Sequence, residues 1–218
     1  RVRISGDTIY LLDYNRDMQQ VFNAELRPVD ENGIRFGIAP GDIQYVTNKD
    51  DTAVAFVQER DLWLYEKDTN ELLQVFSFAN QEGSDERSRN DQHAVRIISL
   101  EDDGSMAFAV YGYMNRGTHE GEVGVGIYYF DIDSNAIEEK AFIPSTKSFA
   151  IAEDELGKMV YYNHGQEMLY VLADGTLYQI NLENDEQNVL AEDLEEGQYA
   201  VSDDGHLMAY QTNGSLYT

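Results

Sequence analysis

Four acidic turns recur along the chain at a spacing of about fifty residues, and this recurrence limits what it can fold into. They are Asn48-Lys49-Asp50-Asp51-Thr52, Glu101-Asp102-Asp103-Gly104, Glu153-Asp154-Glu155-Leu156-Gly157 and Ser202-Asp203-Asp204-Gly205. Each lies between two short apolar runs: 43–47 and 53–58, 96–100 and 105–111, 148–152 and 158–163, 198–202 and 207–212. Asp-Gly supplies the positive φ that a tight hairpin needs. A second signature follows downstream, an aliphatic–aromatic pair with a carboxylate or amide three positions on. It reads Ile9-Tyr10 with Asp13, Leu62-Trp63 with Glu66, Ile127-Tyr128 with Asp131, and Leu177-Tyr178 with Asn181. Leu216-Tyr217 begins a fifth.

One unit therefore reads strand, acidic turn, strand, hairpin, aromatic strand, turn, outer strand. Four antiparallel strands at this period describe a β-propeller blade. Such a blade cannot cover its own apolar faces, whereas blade stacked on blade can. The expected fold is all-β, with less than about a tenth helix. It is a β-propeller of four-stranded antiparallel blades forming one propeller segment. The expected boundaries are a partial blade at 1–27, blades at about 41–80, 95–144 and 147–194, and a partial blade at 198–218. Pro28 and Pro40 bracket one inter-blade connection, and Pro144 opens another. An additional apolar run, 168–172, reads as an inserted hairpin strand. The two ends could pair and close a small ring; a partial ring or segment of a larger propeller is the preferred expectation. The expected core is Val54, Phe56, Trp63, Tyr65, Phe108, Ile127, Tyr128, Val160, Tyr161, Leu177, Tyr178, Met208, Tyr210 and Tyr217.

The stretch Ser202-Asp203-Asp204-Gly205-His206-Leu207-Met208-Ala209-Tyr210, followed by Ser215-Leu216-Tyr217, carries a resemblance. It resembles the repeats of bacterial WD40-like propellers of the Tol-system periplasmic type. It is also similar to the propeller domains of dipeptidyl-peptidase-IV-like enzymes. The resemblance implies a fold and no particular activity.

Composition narrows the partners. The chain of 218 residues has 15 Lys and Arg against 41 Asp and Glu, a net charge of −26. Such a surface repels nucleic acid and anionic lipid, so no nucleic-acid partner is expected. There is no cysteine, which excludes disulfides, zinc–thiolate sites and thiol nucleophiles. No apolar run is long enough for a transmembrane segment. The chain begins at Arg1, and is read as an excised piece of an exported or cell-surface bacterial protein, extracellular in location.

No motif specifies catalysis. Asp131-Ile132-Asp133-Ser134-Asn135 starts like a calcium loop, yet Ala136 and Phe142 stand where Gly and Glu are needed, so it reads as an outer-strand turn. Gly121-Glu122-Val123-Gly124-Val125-Gly126 leads into a strand, and cannot place a phosphate on a helix. His93, His119, His164 and His206 form no paired metal motif. The acidic runs 183–186 and 192–196 read as solvated loops, with weak Ca2+ binding as the alternative. No catalytic residue, cofactor site or metal site is therefore assigned. The expected function is a non-catalytic binding or scaffold module for a protein or anionic ligand, with edge-strand association a further possibility. The alternative is a propeller-type enzyme or a substrate-gating domain associated with a glycosidase, lyase or peptidase. Carboxylates, histidines or arginines gathered at the ring axis would point to it.

The candidate partner face comes from two unusually long connections of the second full blade, 80–93 and 112–122. Blade geometry puts both on one face. They concentrate Arg87, Arg89, His93, Arg116 and His119, with Tyr113 and Met114 expected to be exposed for apolar contact. The competing reading is intramolecular ion pairing to Glu82, Asp85, Glu86 or Glu120.

Overall fold

The computed structural model describes residues 2–5, 8–11, 22–24, 28–30, 33–36, 43–79, 85–152, 156–195, 197–202 and 207–218. Asp13, Glu82, His206 and most of the third and fourth acidic turns lie outside the described residues. The chain forms two compact units, residues 1–42 and 43–218.

The first unit contains two antiparallel hairpins. β1 (Val2–Ser5) pairs with β2 (Thr8–Leu11), and β3 (Val29–Asp30) pairs with β4 (Gly33–Ile34). The second hairpin falls where the sequence suggests only a connection. Arg35 pairs with Asp30 at 2.5 Å.

The second unit is a succession of antiparallel meanders. The first sheet is β5 (Tyr45–Thr47), β6 (Ala53–Gln58), β7 (Asp61–Glu66) and β8 (Glu71–Phe76), hydrogen-bonded in that order. The second is β9 (His93–Leu100), β10 (Met106–Tyr113), β11 (Val123–Asp131) and β12 (Ala136–Pro144). A single helical turn, α1 (Phe149–Ala152), leads to the third. That sheet is β13 (Val160–Asn163), β14 (Met168–Ala173), β15 (Thr176–Asn181) and β16 (Glu186–Ala191). β17 (Tyr199–Val201), β18 (Met208–Thr212) and β19 (Ser215–Tyr217) make a three-stranded sheet.

Period-two alternation explains the stacking. On β10, Met106, Phe108 and Val110 face one way and share a core with Ala55, Leu62 and Leu64 of the first sheet. The intervening Ala107 and Ala109 face the other way, against Val160, Tyr162, Leu169 and Val171 of the third sheet. Leu172 and Leu177 then meet Met208 of the last sheet. The second and third meanders bury both faces only through their neighbours, which is the architecture of propeller blades.

The aliphatic–aromatic repeat has a structural job. The ladder to the outer strand slips at Leu62/Trp63, Ile127/Tyr128 and Leu177/Tyr178, the same place in each full blade. Such a bulge increases local twist. The polar residue three positions on closes the outer turn. Asp131 Oδ1 accepts from the Ser134 amide at 2.8 Å, Asn181 Oδ1 from that of Glu183 at 2.9 Å, and Glu66 from the Thr69 hydroxyl at 3.1 Å.

Three expectations are corrected. Residues 149–152 form α1 and not a strand, because four alternating residues fit one helical turn as well as an extended run. Phe149, 7% exposed, turns in beside Gly112, where a Cβ would come within 2.7 Å of its ring. The run 168–172 is no insertion: β14 is the second strand of its blade, and β13 is the first. Tyr217, expected in the core, is 46% exposed on β19, and Val54, Tyr65, Tyr128, Tyr161, Tyr178 and Tyr210 are only half-buried.

Candidate functional site

The middle hairpins differ sharply in length. β6–β7 turns through Glu59-Arg60, β14–β15 through Asp174-Gly175, and β18–β19 through Asn213-Gly214, every one of these residues at positive φ. That is the geometry matched to strand twist in two-residue hairpins. β10–β11 instead runs through residues 114–122. A connection that departs from its own repeat is where function concentrates.

This connection is fastened to the segment 85–93. The Tyr113 amide donates to Gln92 O at 2.7 Å. Asn115 is fully buried, and its Nδ2 donates to Ser88 O at 3.1 Å and Asn90 O at 2.9 Å. Within the connection, the Met114 amide donates to Glu122 O at 2.8 Å, and that of Gly121 to Met114 O at 2.9 Å. The two segments therefore lie side by side.

The candidate residues differ in burial and pairing. Arg87 pairs with Glu120 at 2.5 Å, and Arg116 pairs with Asp85 and sits 3.6 Å from Glu120. The Ser88 amide, with Arg116 beside it, holds the Asp85 carboxyl well below the usual carboxylate range. These ion pairs run between the two segments, and the arginine charge is matched by carboxylates of the same loops. Arg89 is exposed. Met114 and His93 are corrections: at 1% and 5% exposure both belong to the interior. Met114 is drawn in because the hydrogen-bonded connection folds back over the core of the first two sheets. His93 packs against Phe78 with ring centroids 4.8 Å apart, and burial pulls its imidazole pKa down to about 4. Tyr113 is half-buried. His119 stacks on Phe142 at 3.8 Å and meets Glu139 at 2.9 Å.

Between the connection and the end of β8 lies a pocket of about 370 Å³. Phe76, Phe78, Met114 and Tyr128 give its apolar lining, and Arg116, Thr118, His119 and Glu139 its polar one. Phe76 and Tyr128 have ring centroids 6.0 Å apart, and Tyr128 stacks on Phe108 at 5.4 Å. The Tyr128 hydroxyl donates to Glu139 at 3.2 Å. Burial, reinforced by the Glu139 charge, pushes that phenol up, so it remains a donor. Sequence reasoning missed Asn115, Phe76, Tyr128 and Glu139. Only the length of the connection signalled that something was built there.

Among the described residues no group of three His, Asp or Glu side chains is placed to hold a metal ion. Among them, too, no helix is long and apolar enough to cross a membrane.

No protein-family profile matches the chain, and no curated protein matches it. Among solved structures, it is similar to an oligogalacturonate lyase in complex with manganese, at 14% identity and TM-score 0.44, over 77% of this chain and 44% of that one. It is similar to Porphyromonas gingivalis dipeptidyl peptidase 4 at 10% identity and TM-score 0.44, over 81% and 30%. It is also similar to the WD40 domain of SCAP from fission yeast, at 12% identity and TM-score 0.26, over 84% and 49%. The chain thus spans less than half the length of each. At these identities likeness speaks to fold alone, and these are β-propeller-type proteins. The strand order and stacking described above make this chain a WD40-like β-propeller fold in their own right.

Proposed function

We propose that the chain is a non-catalytic binding or scaffold propeller of an exported or surface protein. It engages a protein partner at the β10–β11 connection. The observation that carries this reading is the pocket itself, an aromatic floor with a charged, hydrogen-bonded rim. That combination suits an apolar anchor side chain surrounded by polar contacts, the anatomy of a protein-binding hot spot. The rim arginines are held by Asp85 and Glu120, so the partner need not be anionic at this face.

Selection of random peptides against the immobilised chain tests the reading. Recovered peptides should share a large apolar or aromatic anchor. They should lose binding to Thr118→Trp, which fills the pocket from an exposed position. Binders that are indifferent to that substitution would refute it.

A further inference from the structure

A second opening lies where the first strands of the four stacked sheets approach one another, and its described lining carries two cations. It has a volume of about 580 Å³. Gln44 borders it just ahead of β5, Arg96 from β9, Lys158 just ahead of β13, and Tyr199 and Ser202 from β17 and its end, with Tyr111 of β10 alongside. None of its described lining residues is Asp, Glu or His.

Arg96 reaches the opening by alternation. Val95 and Ile97 flank it at 5% exposure and enter the core with the first sheet, so the side chain between them turns the other way. Its Nη1 donates to Gly157 O, and to Lys158 O at 2.7 Å. This fixes both the guanidinium and the backbone that carries Lys158. Burial lowers the Arg96 pKa from its ordinary value, and from so high a start it remains a cation. Lys158 is exposed, its Nζ 6.0 Å from the centre of the Tyr199 ring.

Acidic residues outnumber basic ones 41 to 15, so a cation meets a carboxylate readily. Arg35, Arg87, Arg116 and Lys140 all do. Among the described residues, no carboxylate pairs with Arg96 or Lys158. Lys49, Arg60 and Lys67 also form no ion pair among the described residues, so what distinguishes Arg96 and Lys158 is that they share one opening. A partly desolvated guanidinium and an ammonium lining one opening suit a carboxylate, because the guanidinium fork matches it.

We propose that this opening is a binding site for a carboxylate ligand, held by Arg96 and Lys158 against the Tyr111 and Tyr199 walls. It is independent of the pocket beside the β10–β11 connection, and either can fail without the other.

Calorimetric titration of the chain at fixed low salt with two probes, citrate and a hexaglutamate peptide, tests it. Binding of citrate identifies a small polycarboxylate as the ligand. Binding of the peptide alone identifies an acidic segment of a partner. In either case Lys158→Gln should weaken binding about fivefold to tenfold, the worth of one charge-assisted contact, and Lys158→Arg should restore it. Lys158 is exposed, so its replacement leaves the fold intact, which an unchanged melting temperature verifies. Failure of both probes to bind at millimolar concentration overturns the proposal. So does binding that Lys158→Gln leaves unchanged.

Discussion

The turn Asp174-Gly175 and the connection 114–122 occupy the same place in consecutive blades, and they solve different problems. The two-residue turn reverses the chain through two positive-φ residues. It makes only a few outside bonds: the Asp174 carboxylate accepts from Ser145 and Thr146, and the Gly175 carbonyl accepts from the Leu194 amide at 2.9 Å. The long connection has backbone groups and side chains to satisfy. It does so by sending Met114 and Asn115 inward and by bonding to residues 85–93. Length in a propeller hairpin thus becomes additional core and a pocket wall, and not a solvated excursion.

The largest effect that sharpens this contrast is truncation of Met114. A methionine at 1% exposure behaves as core, so Met114→Ala should cost about 2–5 kcal/mol by denaturant unfolding. A cost below ~0.5 kcal/mol would make the connection an ordinary loop.

The pH dependence separates the long connection from the short β6–β7 turn. Asp61, directly after Glu59-Arg60, has its pKa raised to about 6, chiefly by burial. The native state then holds a proton that the unfolded chain has released. Stability on this account falls as pH rises from about 3.8 to about 6, and the loss is complete above that. Asp61→Asn should therefore stabilise the chain at pH 7, by up to about 3 kcal/mol, with the gain vanishing below pH ~4. His93, beneath the long connection, runs the other way. Its pKa is lowered to about 4, so stability is retained above about 6.5 and lost as the unfolded chain takes up the proton on acidification. Melting curves of wild type and Asp61→Asn from pH 4 to 8 resolve the two. A constant difference between them at every pH would contradict the Asp61 assignment.

A smaller effect tests the short turn alone. Gly175 has φ +80°, and a Cβ there would come 3.1 Å from Leu194 O. Gly175→Ala should cost about 1–2 kcal/mol by thermal melting, through backbone strain with little lost packing. Smallest is the rim: Glu120→Gln removes a half-exposed ion pair with Arg87 and should cost less than about 1 kcal/mol. A larger loss would mean that the arginines, and not Asn115 and Met114, hold the connection down.

Much of this was legible in the residues, for physical reasons. Leu62-Trp63, Ile127-Tyr128 and Leu177-Tyr178 announce blades because every blade needs the same bulged strand beside its outer edge. Glu66, Asp131 and Asn181 announce turns because a side-chain acceptor closes the turn locally. What was not legible depends on distant partners. Phe149 begins a helical turn, its ring lying against Gly112, which leaves room for it. Met114 reads as an exposed loop residue until the bonds to Gln92 and Glu122 turn the chain inward. Arg96 is one cation in an apolar strand, and only the stacking of the sheets shows that it shares an opening with Lys158 and Tyr199.

Native-state hydrogen exchange at the amides of Tyr113, Met114 and Gly121 measures most directly whether the long connection is part of the folded core. Each donates to a backbone carbonyl at 2.7–2.9 Å, as strand amides do. The expected result is protection comparable to the β10 amides Phe108 and Val110, so that the connection opens only when the blade does. Exchange of these three amides as fast as that of the exposed residues Gly117 and Thr118, with β10 still protected, would contradict it.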